Sequence, residues 1–269
     1  MKLRSYLADK LRYYFDSILF YADATIDDPD DAENLHQFRV NSRRANSILK
    51  EFGECFDKTY LQKTKSTLNG FIKMSNEARD LDVFLQRLQK LRLPPGMELD
   101  ELVSVLQRKR NHAYQTLFGD LAKVPAILYA LKRPVMRGCK TGVKKALKNH
   151  FKSRVKKLKS LGTSIKTDEE FHALRIALKR VRYVAELMVE RKIMKKSRLR
   201  RLKALQDLFG EIQDAAVETR KIFDLAHNNS FTPTTLLAMG KVAGDLIEHK
   251  EQLKQELKSR LKRELGKVV

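Results

Sequence analysis

The segment Leu35-His36-Gln37-Phe38-Arg39-Val40-Asn41-Ser42-Arg43-Arg44 returns in the second half of the chain as Phe171-His172-Ala173-Leu174-Arg175-Ile176-Ala177-Leu178-Lys179-Arg180. An α-helix advances about 100° per residue. On such a helix His36, Arg39, Arg43, Asn46, Ser47 and Lys50 fall in one stripe, and Phe38, Ala45, Ile48, Leu49 and Phe52 fall opposite. The second copy has the same phase. His172, Arg175, Lys179, Arg182 and Tyr183 share a stripe, opposed by Leu174, Ala177, Val181, Val184, Ala185 and Met188, with Arg44 and Arg180 at the stripe edges. A chain that repeats one amphipathic helix is constrained toward two similar helical halves, each burying its apolar face and displaying cations on the other. Like charges three and four residues apart repel. A polyanion laid along the stripe relieves that repulsion.

The rest of the chain is also helical in period. Only 11 Gly and 6 Pro interrupt long stretches with apolar residues at three- and four-residue steps, which excludes strand-rich folds. The reading is all-α, with helices over 2–23, 31–54, 58–76, 79–92, 98–124, 139–161, 167–191, 195–210, 212–228 and 233–266. Asp27-Asp28-Pro29-Asp30, Leu93-Pro94-Pro95-Gly96 and Thr232-Pro233 supply the breaks. Asn76-Glu77-Ala78-Arg79-Asp80-Leu81-Asp82-Val83 is echoed weakly by Gly210-Glu211-Ile212-Gln213-Asp214-Ala215-Ala216-Val217, so the repeat extends past the histidine helix. We expect one domain over 1–269 with repeat halves 1–130 and 131–269, two bundles packed around a basic central groove, by analogy with the symmetry of dimers.

Lys and Arg outnumber Asp and Glu 55 to 33, a formal charge of +22, so the partners should be anionic: polyphosphate, nucleic acid or a membrane surface. Lys132 to Lys166 carries thirteen Lys or Arg and no acid, and an ordinary solvated face is the simplest account of it. The only cysteines, Cys55 and Cys139, lie far apart without metal-like spacing, which suggests neither a disulfide framework nor a zinc site and fits a reducing cytoplasm. His112, His150, His227 and His249 also lack ligand spacing. No stretch approaches the ~18 apolar residues that span a bilayer, and Met1-Lys2-Leu3-Arg4-Ser5-Tyr6 lacks a signal-type apolar run.

On the two His-x-x-Arg motifs, each with a preceding bulky apolar residue and a following basic pair, the sequence resembles the CHAD (conserved histidine α-helical) domain family. Arg79-Asp80-Leu81-Asp82-Val83 and Leu202-Lys203-Ala204-Leu205-Gln206-Asp207-Leu208-Phe209-Gly210 carry the resemblance further, over essentially the whole chain. It implies a helical protein of two related bundles that binds inorganic polyphosphate in a basic groove, without chemistry of its own, and associates with polyphosphate granules. The sequence departs from its own repeat at Gln213 and Ala216, which stand for Arg79 and Asp82, and at Glu186, which stands for Lys50.

Polyphosphate needs donors repeated along a track. Arg39, Arg43, Arg44, Arg175, Arg180 and Arg182 offer planar forks to phosphate oxygens, and Lys50, Lys65, Lys179 and Arg201 add positive charge. His36 and His172 donate through one nitrogen when neutral and two when protonated, so binding should tighten as pH falls toward 6. Tyr183 completes the expected polyphosphate-binding set. Arg79, Asp80 and Asp82 read as helix-start residues that orient basic neighbours. No Gly-rich phosphate loop, His-Glu-x-x-His or alternating-Glu cluster marks an enzyme, and no catalytic residue, cofactor or metal is expected. Sequence-neutral RNA or DNA binding is the main rival, although Trp is absent and no aromatic pair accompanies the stripes. A helical scaffold that meets an acidic protein partner is a third reading.

Overall fold

Three aspartates decide where the first helices end and begin. Helix α1 (Leu3–Asp27) stops at Asp28, whose carboxylate accepts the N–H groups of Asp30 and Asp31, both at 3.2 Å. Asp31 then caps α2 (Ala32–Glu51) by accepting the Glu33 N–H at 3.0 Å. A 3-10 turn over Gly53–Cys55 follows. Asp57 opens α3 (Lys58–Met74) by accepting the N–H groups of Thr59 and Tyr60 at 2.9 and 3.0 Å. The chain continues through α4 (Asn76–Leu88), α5 (Asp100–Leu121), α6 (Val124–Tyr129), α7 (Val143–Leu161), α8 (Asp168–Glu190), α9 (Lys196–Asn228) and α10 (Pro233–Lys267). This computed structural model describes residues 1–162 and 168–267. Among them there is no strand, only isolated bridges of Lys2 with Gly142 and Phe56 with Met136, so the expected all-α class holds.

Several boundaries differ from the sequence reading, among them the start of α7 at Val143 instead of 139 and the end of α4 at Leu88 instead of 92, and three of the differences have clear local causes. Helix α1 runs on to Asp27 because Ala22 and Thr25 continue its buried face, Thr25 donating its hydroxyl to the Tyr21 carbonyl. Pro125 stands in the first turn of α6, where its missing N–H would have had no intrahelical partner, so it starts a short helix. The break expected near residue 211 is absent: α9 is one helix of 33 residues. Leu208, Phe209, Ile212 and Ala215 form an unbroken buried stripe there, and the ~1 kcal/mol cost of one interior glycine is too small to divide it.

The chain forms two compact units. The first comprises Met1–Arg92 and Leu102–Val143, and the second Leu93–Glu101 and Lys144–Val269. In the first, α2 packs against α1, α3 and α4 around the fully buried Phe15, Phe38, Phe52, Phe56 and Phe84. The Leu3 N–H donates to the Thr141 carbonyl at 3.0 Å, tying the start of α1 to the end of the unit. In the second, α9 packs against both α8 and α10. Phe209 and Leu174 are fully buried there, and the Phe171 and Phe209 rings lie 4.6 Å apart.

The cysteine expectation is corrected by the first unit. Cys55 and Cys139 are joined in a disulfide across a sequence separation of 84. Their distance along the chain concealed their proximity. The Asp57 N–H donates to the Val135 carbonyl at 2.9 Å and the Arg137 N–H to the Cys55 carbonyl at 2.7 Å, which lays residues 135–139 against the turn that ends α2. With both thiols bonded, cysteine usage no longer argues for a reducing compartment.

Candidate anion-binding surface

Because α2 is covered by three helices, its buried arc is wider than one apolar stripe. Asn46 and Ser47, expected beside the cations, are buried. The Asn46 side-chain amide donates to Asn69 Oδ1 at 2.6 Å. Arg39, also expected on the displayed stripe, is only 3% exposed. Its Nη1 donates to the Ile72 carbonyl at 2.8 Å and to Ser75 Oγ at 2.7 Å, and its Nη2 donates to Asn76 Oδ1 at 2.8 Å. A helix ends with carbonyls that lack intrahelical partners. Arg39 supplies donors to the end of α3 and the start of α4, and so fixes the corner between them. Burial, then the neighbouring Arg43 charge, lowers its pKa to about 10, with Arg79 adding to the effect and Asp80 opposing it.

The face that α2 does display carries Arg43 and Lys50, both exposed, with His36 and Arg44 half-buried. Burial is the main force holding the His36 imidazole below the ordinary histidine range; the Arg79, Arg43 and Arg39 charges act in the same direction, against Glu33. Arg79 therefore belongs to this cation cluster, a role that helix-start spacing alone did not reveal. Its Nη1 donates to the Ala32 carbonyl at 3.1 Å, in the first turn of α2. Asp82, by contrast, is withdrawn into the core, where it accepts Arg110 Nε and the Tyr114 hydroxyl, each at 2.8 Å. Arg110 also lies over the Tyr114 ring, 4.3 Å from its centroid. Lys65 is half-buried on α3.

In the second unit α8 exposes His172 and half-buries Arg175, Lys179, Arg180, Arg182 and Tyr183. Arg182 is engaged within the protein: Nε donates to Gln206 Oε1 and Nη1 to Glu186 Oε1, each at 2.5 Å, and the guanidinium lies 4.4 Å from the Tyr183 ring centroid. The acid that replaces Lys50 in the repeat is thus the partner of Arg182. Arg201 is exposed on α9 and lines a cavity of about 480 Å³ with Arg198 and Lys195. Each unit therefore gathers cations on its own histidine helix, the first around His36, Arg43 and Arg44, the second around His172, Lys179 and Arg180.

Among the described residues one group has metal-ligating types close together, Glu54, Cys55 and Cys139. Its two cysteines are consumed by their mutual bond and offer no thiolate. No helix among the described residues is long and apolar enough to cross a membrane.

A family model for the CHAD domain matches residues 10–222. The chain belongs to the CHAD-domain family. Its structure is similar to the CHAD domain from the plant Ricinus communis, with a TM-score of 0.74 and 24% sequence identity over 99% of this chain and 92% of that one. It is also similar to PptA from Streptomyces chartreusis, with a TM-score of 0.68 and 15% identity over 96% and 99% of the two chains. At these identities the likeness shows a shared CHAD fold. No curated protein matches the sequence.

Proposed function

We propose that this CHAD protein binds inorganic polyphosphate without catalysing its reaction. The supporting observation is the recurrence of a histidine-led helix that carries exposed or half-buried cations in both units, within a chain of formal charge +22. CHAD domains are generally binding domains. In this reading Arg43, Arg44, Lys50 and Lys65 form the first unit's track with His36, while Arg175, Lys179, Arg180 and Arg201 form the second's with His172. Arg39, Arg182 and Tyr183, which the repeat alone places in the tracks, act as positioning residues: one fixes the α3–α4 corner and the other two form a stacked pair anchored to Glu186 and Gln206. Binding of this kind would bring the protein to polyphosphate granules.

The test is a competition titration of long-chain polyphosphate against single-stranded RNA and heparin, matched in charge, at near-physiological salt where weak counterion-driven association is suppressed. A preference of at least about tenfold for polyphosphate, equivalent to ~1.4 kcal/mol, lost in the H36A/H172A variant, supports the reading. Equal affinity for the three polyanions overturns it in favour of binding by net charge, nucleic acid included.

A further inference from the structure

The second unit contains a cavity of about 590 Å³ formed by α7, the C-terminal end of α8, well past His172, and the start of α9. Its floor is apolar, made by Phe151, Val155, Met188, Ile193 and Met194. Its rim is basic, made by Lys148, Lys152, Lys156, Lys159 and Arg198, and no acidic residue lines it. The four lysines follow steps of four, four and three residues along α7, which sets them in one row ~16 Å long.

The turn after α8 shapes the floor. The Ile193 N–H donates to the Met188 carbonyl at 2.8 Å and the Lys192 N–H to the Val189 carbonyl at 3.0 Å, while Lys192 takes a left-handed φ of 55°. This is the paired bonding of a Schellman helix end, which draws the second residue beyond the helix cap against the last turn. It places Ile193 beside Met188, and unbranched methionines at 188 and 194 adapt to varied apolar shapes.

We infer that this cavity is a docking site for an acidic amphipathic helix from a partner protein. Polyphosphate has no apolar atoms and would leave the floor uncovered, so the floor calls for a different ligand, although its rim at Arg198 adjoins the cavity that holds Arg201 of the second track. A single anionic head group would engage one or two of five cations and leave the others repelling along the row. A helix whose Leu or Phe side chains enter the floor, with Asp or Glu on either flank, matches both the apolar floor and the distributed charge.

The test uses the full chain and a fluorescent synthetic peptide of about 18 Leu and Glu residues. Leu occupies i, i+3, i+4 and i+7 positions, and the control is a scrambled peptide of identical composition. At near-physiological salt the phased peptide should bind at least tenfold tighter than the scramble. M194E, and separately K152E/K156E on the exposed lysine row, should each weaken it tenfold or more with unchanged thermal transitions. H36A/R43A should leave it unchanged. Equal binding of both peptides overturns the inference, because it reduces the site to net charge. Capture by phosphatidylglycerol vesicles without phased-peptide binding also overturns it, in favour of a membrane surface.

Discussion

The two histidine helices share a motif but place its first arginine differently. In the first unit the chain turns at Ser75 between α3 and α4, and that corner offers Arg39 a carbonyl, a hydroxyl and an amide oxygen. In the second, α9 passes straight through Gly210, the residue that echoes Asn76. Interior carbonyls of a continuous helix are occupied by N–H groups four residues on, and Arg175 stays half-buried on its own helix. The same arginine thus meets a chain corner in one copy and an unbroken helix in the other, so its surroundings depend on whether the neighbouring chain bends.

The largest expected difference between the units comes from the disulfide, which constrains only the first. Closing a loop of this length restricts the unfolded chain by about 4 kcal/mol in the chain-entropy account. C139S, or reduction of the wild type, should lower the first unit's calorimetric transition and leave the second unit's in place. A uniform shift of both would mean that the two units unfold together.

Next in size is R39A, expected to destabilise the first unit by about 2–3 kcal/mol, because it removes a buried guanidinium and leaves corner oxygens without their donors. R175A, at a half-buried arginine that meets no such corner, should cost less. Urea unfolding of the two variants measures the contrast, and equal losses would mean that Arg175 is also a structural clamp.

Smaller effects are expected on binding. R43A, at an exposed cation, and K179A, at a half-buried one, should each weaken polyphosphate affinity by roughly two- to tenfold and reduce its salt dependence. Loss in one variant alone would assign the ligand to one unit.

The smallest effect is that of pH. Unfolded His36 protonates near about pH 6.5, whereas burial and the Arg79, Arg43 and Arg39 charges depress its pKa in the folded chain. Protonation therefore favours unfolding. The contribution of His36 to stability is level above about pH 6.5 and falls as pH drops from there toward the folded value. A bound polyanion opposes this by favouring the charged ring, so affinity should rise as pH falls, but at lower pH than an ordinary histidine would give. Titrations of wild type and H36Q between pH 8 and 5 check both slopes, and H36Q should lose them.

Periodicity and local punctuation made the helical class and most helix limits legible, with Asp28, Pro29 and Asp31 acting where the sequence placed the first break. The displayed cations Arg43 and Lys50 were legible for the same reason, since helical phase determines which side faces outward when one side is covered. Phase could not report that three helices cover α2, so Arg39, Asn46 and Ser47 read as exposed when they are buried. Nor could a linear spacing show that residues 135–139 lie beside Cys55. Those features depend on contacts distant in sequence. A local pattern carries no record of them.

The unbroken α9 also bears on the order in which the molecule is assembled. Together with α10 it forms a long pair of adjacent helices joined by a short connection, so its partners find each other across small loops. The first unit must instead bring Leu3 to Thr141 and Cys55 to Cys139. Ring closures of that size are slow searches. Refolding from denaturant should accordingly protect α9–α10 amides first in pulse-labelled hydrogen exchange, before the long-range closures of the first unit are made.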